Sequence, residues 1–152
     1  MRIRFHVMLL NWREIQMLKK YLKQWSKPQR HTIQATLVEK LNGVLNLQTH
    51  TISPTLPIVF DYGTIAGLPL PLPGLIHGSQ RIHYYKKLAI DDKVDCQYCV
   101  NSFELKEGKK GQIGLATLLY RGFDVHGDII YEMESVLILS KMYMERNLKN
   151  DS

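Results

Sequence analysis

Two rhythms of apolar and polar positions run along this chain, helical near the start and two-fold alternating towards the end. Residues 2–7 alternate Arg-Ile-Arg-Phe-His-Val, the pattern of a short strand. Asn11 with Glu14 three residues later has capping-box spacing, and Ile15, Leu18, Leu22 and Trp25 follow at helical intervals. Lys19, Lys20, Lys23 and Lys27 fall largely outside that stripe, so a helix is predicted over 12–25, ended by Ser26-Lys27-Pro28. Residues 32–41 admit two readings. One is a second helix carrying Ile33, Leu37 and Leu41 on one face with Gly43 as its C′ residue, followed by an extended 45–51. The other is a hairpin of strands 36–41 and 44–52 turning at Asn42-Gly43. The helix is favoured. After Gly78 the pattern is that of an antiparallel meander, with strands predicted over 81–88, 93–105, 113–121 and 129–140 and turns at 89–92, 107–111 and 124–128. Helices first and strands afterwards give an α+β class with an N-terminal helix and an antiparallel sheet.

Between these halves, residues 53–78 hold five of the six prolines. The run Leu68-Pro69-Leu70-Pro71-Leu72-Pro73 can be neither helix interior nor central strand, since each proline removes an N–H donor and restricts the residue before it. Its spacers are leucines, so packing on apolar surface is expected over service as a polyproline ligand.

With 152 residues, 45% hydrophobic and 22% charged, the chain is expected to form one domain over 1–152. No apolar run approaches the roughly 20 residues of a membrane span. Val7–Leu10 is too short for the core of a secretory signal, which makes the cytosol the expected address. The net charge of +6 is local, because residues 1–31 hold eight Lys/Arg against one acid and the rest twelve against thirteen. A charge confined to one segment argues against a nucleic-acid module. The only cysteines, Cys96 and Cys99, supply half the ligands of a structural zinc site and fall in a predicted strand, where i and i+3 face opposite sides. Two unlinked thiols and no metal are expected, and the 147–152 tail is expected to fray.

The phrases Leu56-Pro57-Ile58-Val59-Phe60, then Leu70-Pro71-Leu72-Pro73-Gly74-Leu75-Ile76-His77-Gly78-Ser79-Gln80-Arg81-Ile82, then Tyr84-Tyr85-Lys86-Lys87-Leu88-Ala89-Ile90-Asp91-Asp92, resemble the first of the two hot-dog repeats in MaoC-like acyl dehydratases. The resemblance spans residues 55–142. In that family the last phrase reads aromatic-x-x-Pro-Leu-x-x-Gly-Asp; here Lys replaces Pro and Asp91 replaces Gly. The stretch 61–68 is also shorter than the central helix the family places between the Leu-Pro phrase and the Pro-rich turn. The resemblance implies a hot-dog-like fold, acyl-CoA or acyl-ACP thioesters as ligands, no cofactor, and a homodimer or a heterodimer with a catalytic hot-dog subunit. Gly74, His77, Gly78 and Arg81 fall in the matched phrase as substrate-binding candidates.

Hydrating an enoyl thioester needs one group to activate water and another to manage the α-carbon proton. The family supplies them as an Asp and a His five residues apart, in a phrase like Gly-Asp-x-Asn-Pro-x-His. None of the six histidines here follows an Asp by five. Asp61 and His77 are therefore only weak catalytic candidates, and an accessory subunit is the leading expectation. One alternative is a hot-dog thioesterase using Asp61. The other is a non-enzymatic module whose basic helix, with Trp12 and Trp25, meets an anionic membrane surface. A helix packed on the domain with solvated lysines is favoured over the membrane. His83 and His126 are expected in solvent. Arg81, Lys86 and Lys87 could meet coenzyme A phosphates or could simply guard a sheet edge.

Overall fold

The computed structural model describes residues 19–47, 51–68, 75–109 and 111–139. The expected strand at 2–7, the first part of the 12–25 helix, the Pro-rich run beyond Leu68 and the 147–152 tail lie outside these residues. The described elements are β1 (Gln29–Thr32), α1 (Ala35–Val44), a 3-10 turn (Leu56–Val59), β2 (Leu75–Tyr84), β3 (Lys93–Gly108), β4 (Gly111–Phe123) and β5 (Ile129–Leu139). All strand pairs are antiparallel, in the order β1-β3-β4-β5-β2.

The meander from β3 to β5 follows the two-fold pattern of its sequence. Cys96, Tyr98 and Val100 on β3, Ala116 and Leu118 on β4, and Tyr131, Met133 and Leu137 on β5 are buried on one face. Against them pack Ile33, Val38 of α1, and the segment carrying Leu56, Phe60, Tyr62 and Ile65. Cys96 belongs to this inner cluster, whereas Cys99 is buried on the other face, and both thiols are free.

Three expectations are corrected. Only residues 19 and 20 of the described part of the 12–25 helix are helical. Lys23 turns into the left-handed region with φ 59°, its N–H donates to Val100 O at 2.7 Å, and Ser26 N–H donates to Tyr98 O at 2.8 Å. The cause is the edge of β3, whose carbonyls beyond β1 need donors that a helix would keep to itself. Gly43 is inside α1, not its C′ residue. Asn46 takes that place at φ 54°, with Asn46 N–H donating to Gly43 O (3.2 Å) and Leu47 N–H to Asn42 O (2.8 Å), the paired bonds of a Schellman end. Leu45–Leu47 therefore close the helix and do not begin an extended stretch. Finally, β2 starts at Leu75 and stops at Tyr84. Residues 85–88 leave the sheet because Tyr85 and Lys86 both donate to one carbonyl, Ile130 O, at 2.8 and 3.2 Å.

Candidate functional site

The segment 53–68 crosses the inner face of the sheet, and polar groups tie it down. Ser26 Oγ donates to Tyr62 O at 2.7 Å and accepts Tyr98 N–H at 2.9 Å. His31 stacks on Phe60 at 5.1 Å and its Nε2–H donates to Asp61 O at 2.6 Å. Tyr62 Oη donates to Pro57 O at 2.7 Å, since a carbonyl can only accept. The hydroxyl of Tyr131, 2.7 Å from Tyr62 Oη, must then donate to it, and Cys96 Sγ–H, 3.4 Å away, donates to Tyr131 in turn. A buried relay thus runs Cys96, Tyr131, Tyr62, Pro57 with each donor matched to an acceptor.

Burial pushes the Cys96 thiol up to about 11 and raises both relay tyrosines above their ordinary value. Burial likewise moves Tyr120 and Tyr84 to about 12. At neutral pH these groups are uncharged. They can donate and accept hydrogen bonds, but none is a base that could take a proton from water or carbon.

The residues singled out from sequence do not converge. Asp61 is exposed and spends Oδ1 on the N–H of Gly63 at 2.8 Å, while its carbonyl is held from β1 by His31. His77 contributes its backbone to β2, at the opposite edge of the sheet with β3, β4 and β5 between, and its side chain lies outside the described residues. Gly74 also lies outside them. Gly78 marks a bulge in the β2–β5 pairing. Arg81 is exposed and registers with Glu134, and His83 with Glu132, so both follow the outer-face rhythm of β5. Lys86 is bound to Asp124 at 2.8 Å and Asp128 at 3.1 Å. Among the described residues, no group of three or more His, Cys, Asp or Glu could hold a metal, and no helix is long and apolar enough to cross a membrane.

Sequence reasoning missed the tyrosine relay. One signal was available: Gly122 sits inside a strand, and a Cβ there would meet the Tyr131 ring at 2.3 Å. An interior strand glycine often marks such a close approach.

Residues 23–133 match the family model described as the FAS1-like dehydratase domain region. The chain belongs to this family. No curated protein matches it. Among solved structures, this FAS1-like dehydratase domain is similar to the ChsH1–ChsH2 complex of Mycobacterium tuberculosis, with TM-score 0.65, 11% identity, and 89% of this chain and 93% of that chain covered. It is also similar to the HadBC (3R-hydroxyacyl-ACP dehydratase) complex of the same organism, with TM-score 0.56, 10% identity and coverage of 75% and 93%. The (R)-hydratase of A. caviae involved in PHA biosynthesis gives TM-score 0.53, 19% identity and coverage of 78% and 96%. These likenesses establish the hot-dog fold of the FAS1-like dehydratase domain, in which the described helix is α1, ahead of the Leu-Pro phrase and not after it.

Proposed function

We propose that this chain is the non-catalytic partner in a hot-dog hydratase or dehydratase, binding acyl-CoA or acyl-ACP beside a subunit that carries the Asp/His phrase. One observation carries the reading: the buried titratable groups on the inner face are hydroxyls and a thiol held neutral, and the phrase that would supply a base is absent from the sequence. Two of the similar structures, ChsH1–ChsH2 and HadBC, are complexes. Here β2 is an edge strand among the described residues, and its outward N–H and C=O groups suit pairing with a second sheet. Losing one general acid or base slows such chemistry about 10²–10⁴-fold, and losing both leaves little.

The test is hydration of crotonyl-CoA and longer enoyl-CoA by the chain alone and with a candidate catalytic hot-dog subunit. No turnover alone, together with a stable complex that gains turnover or changes chain-length range, is the expected result. Substantial hydration by the lone chain, abolished by Asp61→Asn or His77→Ala, would refute the accessory role.

A further inference from the structure

β3, at 16 residues the longest described strand, is only partly covered along one edge. Lys93–Cys96 pair with β1, and the carbonyls of Tyr98 and Val100 are taken by the N–H groups of Ser26 and Lys23. From Ser102 to Gly108 no strand among the described residues lies on that side, while β4 holds the other. The side chains tell which backbone groups face the gap. Along one strand, residues whose side chains share a face turn their N–H and C=O to the same edge. Tyr98 and Val100 are buried on the inner face and turn to the β1 edge. The bulge between Val100 and Ser102 shifts the alternation by one, so Phe103, paired with the buried Ala116, is inward again. Leu105 and Glu107 follow it by alternation, and the N–H and C=O groups of all three point to the bare edge. Phe103 and Leu105 are half-buried there, while Glu104 and Lys106 stand exposed on the outer face, 3.8 Å apart.

We propose that this edge pairs with the same edge of a second copy of the chain, antiparallel about a two-fold axis through Leu105. In that register Leu105 meets Leu105, and Glu104 of each copy lies opposite Lys106 of the other. Glu107, exposed at the strand end, faces Phe103. The pairs made by Leu105 and by Phe103 with Glu107 are the hydrogen-bonded ones. The two Glu104–Lys106 positions are then the close, non-hydrogen-bonded pairs, with Cα atoms about 4.5 Å apart, where opposite charges stabilise the pairing. Edge charges more often keep sheets apart, but they do so by setting like against like. Glu and Lys two residues apart on one face are instead complementary to their own reverse. Pairing runs from Ser102 against Gly108 to Gly108 against Ser102, the whole of the free edge, and the Lys23–Ser26 segment stops any slide toward β1. Seven residues of strand bury less than the roughly 800 Å² per partner of a standard interface, so the dimer forms in a concentration-dependent way. It uses the edge of the sheet opposite β2 and leaves β2 free for a catalytic subunit.

Sedimentation equilibrium of the full chain over a range of concentrations tests it. The wild-type chain should dimerise, and more weakly as salt rises. Leu105→Pro removes an N–H that faces the free edge and not β4, so this variant should fold and stay monomeric. Glu104→Lys and Lys106→Glu should each weaken dimerisation about tenfold, since two opposite-charge pairs become like-charge pairs. An equimolar mixture of these two variants should recover it, because each then offers the sign that the other lacks, and so should a chain carrying both changes. Circular dichroism checks that each variant is folded, and the charge variants, altered only at exposed side chains, carry the test if the proline variant is not. A monomer at every concentration overturns the inference. A dimer indifferent to Leu105→Pro and to both charge changes, as pairing through β2 would give, overturns it too. Loss in the single variants without recovery on mixing does the same, by excluding the two-fold register. None of these outcomes bears on whether the lone chain hydrates enoyl-CoA, which is what decides the accessory role.

Discussion

Asp91 stands where the resembling phrase has glycine, and its φ of 72° shows what the glycine would serve. The turn needs a left-handed residue there, because Asp91 N–H donates to Ile33 O at 2.8 Å and Asp92 N–H to Ala89 O at 3.1 Å. A Cβ in that region costs about 1–2 kcal/mol, less for Asp than for most residues. Asp91→Gly should therefore raise stability by about 0.5–1 kcal/mol in urea unfolding, and Asp91→Val should lower it; a loss with glycine would mean the Asp91 side chain contributes more than its backbone costs. The tyrosine relay gives a second test at this scale. Tyr62→Phe strips Pro57 O of its donor and Tyr131 of its acceptor, which should cost about 2–3 kcal/mol. Tyr131→Phe leaves the Tyr62–Pro57 bond intact and should cost about 1 kcal/mol. If the order is reversed, the relay does not run in the direction assigned to it.

At the scale of elements, sequence patterns placed β3, β4 and β5 well, set the ends of β2 poorly and missed β1, four residues long and with no distinct alternation, altogether. The β3–β5 meander was legible because one face is buried and alternation records it. Alternation alone missed the start of β2, because Leu75–Gln80 belongs to the register with β5 and not to any rhythm of its own. The C-terminus of α1 was assigned to Gly43, the residue that turns left-handed most easily, yet Asn46 makes that turn one helical turn later. The β4–β5 turn carries the clearest pH signature. Lys86 first, then the N–H groups of Asp128 and His126, hold the Asp124 carboxyl from 3.8 down to about 2. A carboxylate whose folded value is depressed contributes stability that is complete above the unfolded value and is lost as pH falls through the folded one. Unfolding between pH 4 and 2 should thus steepen with Asp124 present and flatten in Asp124→Asn, read from urea midpoints. An unchanged slope in that window would show that the Lys86 clamp adds nothing measurable.

For the whole molecule, the N-terminal segment separates the competing roles. Trp25 does not project from an amphipathic helix: the Arg121 guanidinium lies 4.5 Å from its ring centre, fastening it to the outer face of the sheet. Lys20, Lys23 and Lys27 remain exposed around it. With Trp25, one of its two tryptophans, engaged, the chain should stay in the supernatant when spun with anionic vesicles at physiological salt. Salt-sensitive co-sedimentation lost on changing Lys19, Lys20 and Lys23 to Glu would favour the membrane surface instead.

The sequence by itself determined the antiparallel meander and the missing Asp/His phrase, and favoured the helix before them over a hairpin, because alternation, helical spacing and motif distance are properties of neighbours along the chain. Tertiary structure alone decided that residues 22–26 pair with β3, that Asp61 and His77 belong to opposite edges, and that Tyr62, Tyr131 and Cys96 meet. Those outcomes depend on which unsatisfied carbonyl, hydroxyl or ring faces another across tens of residues, and no local pattern encodes that.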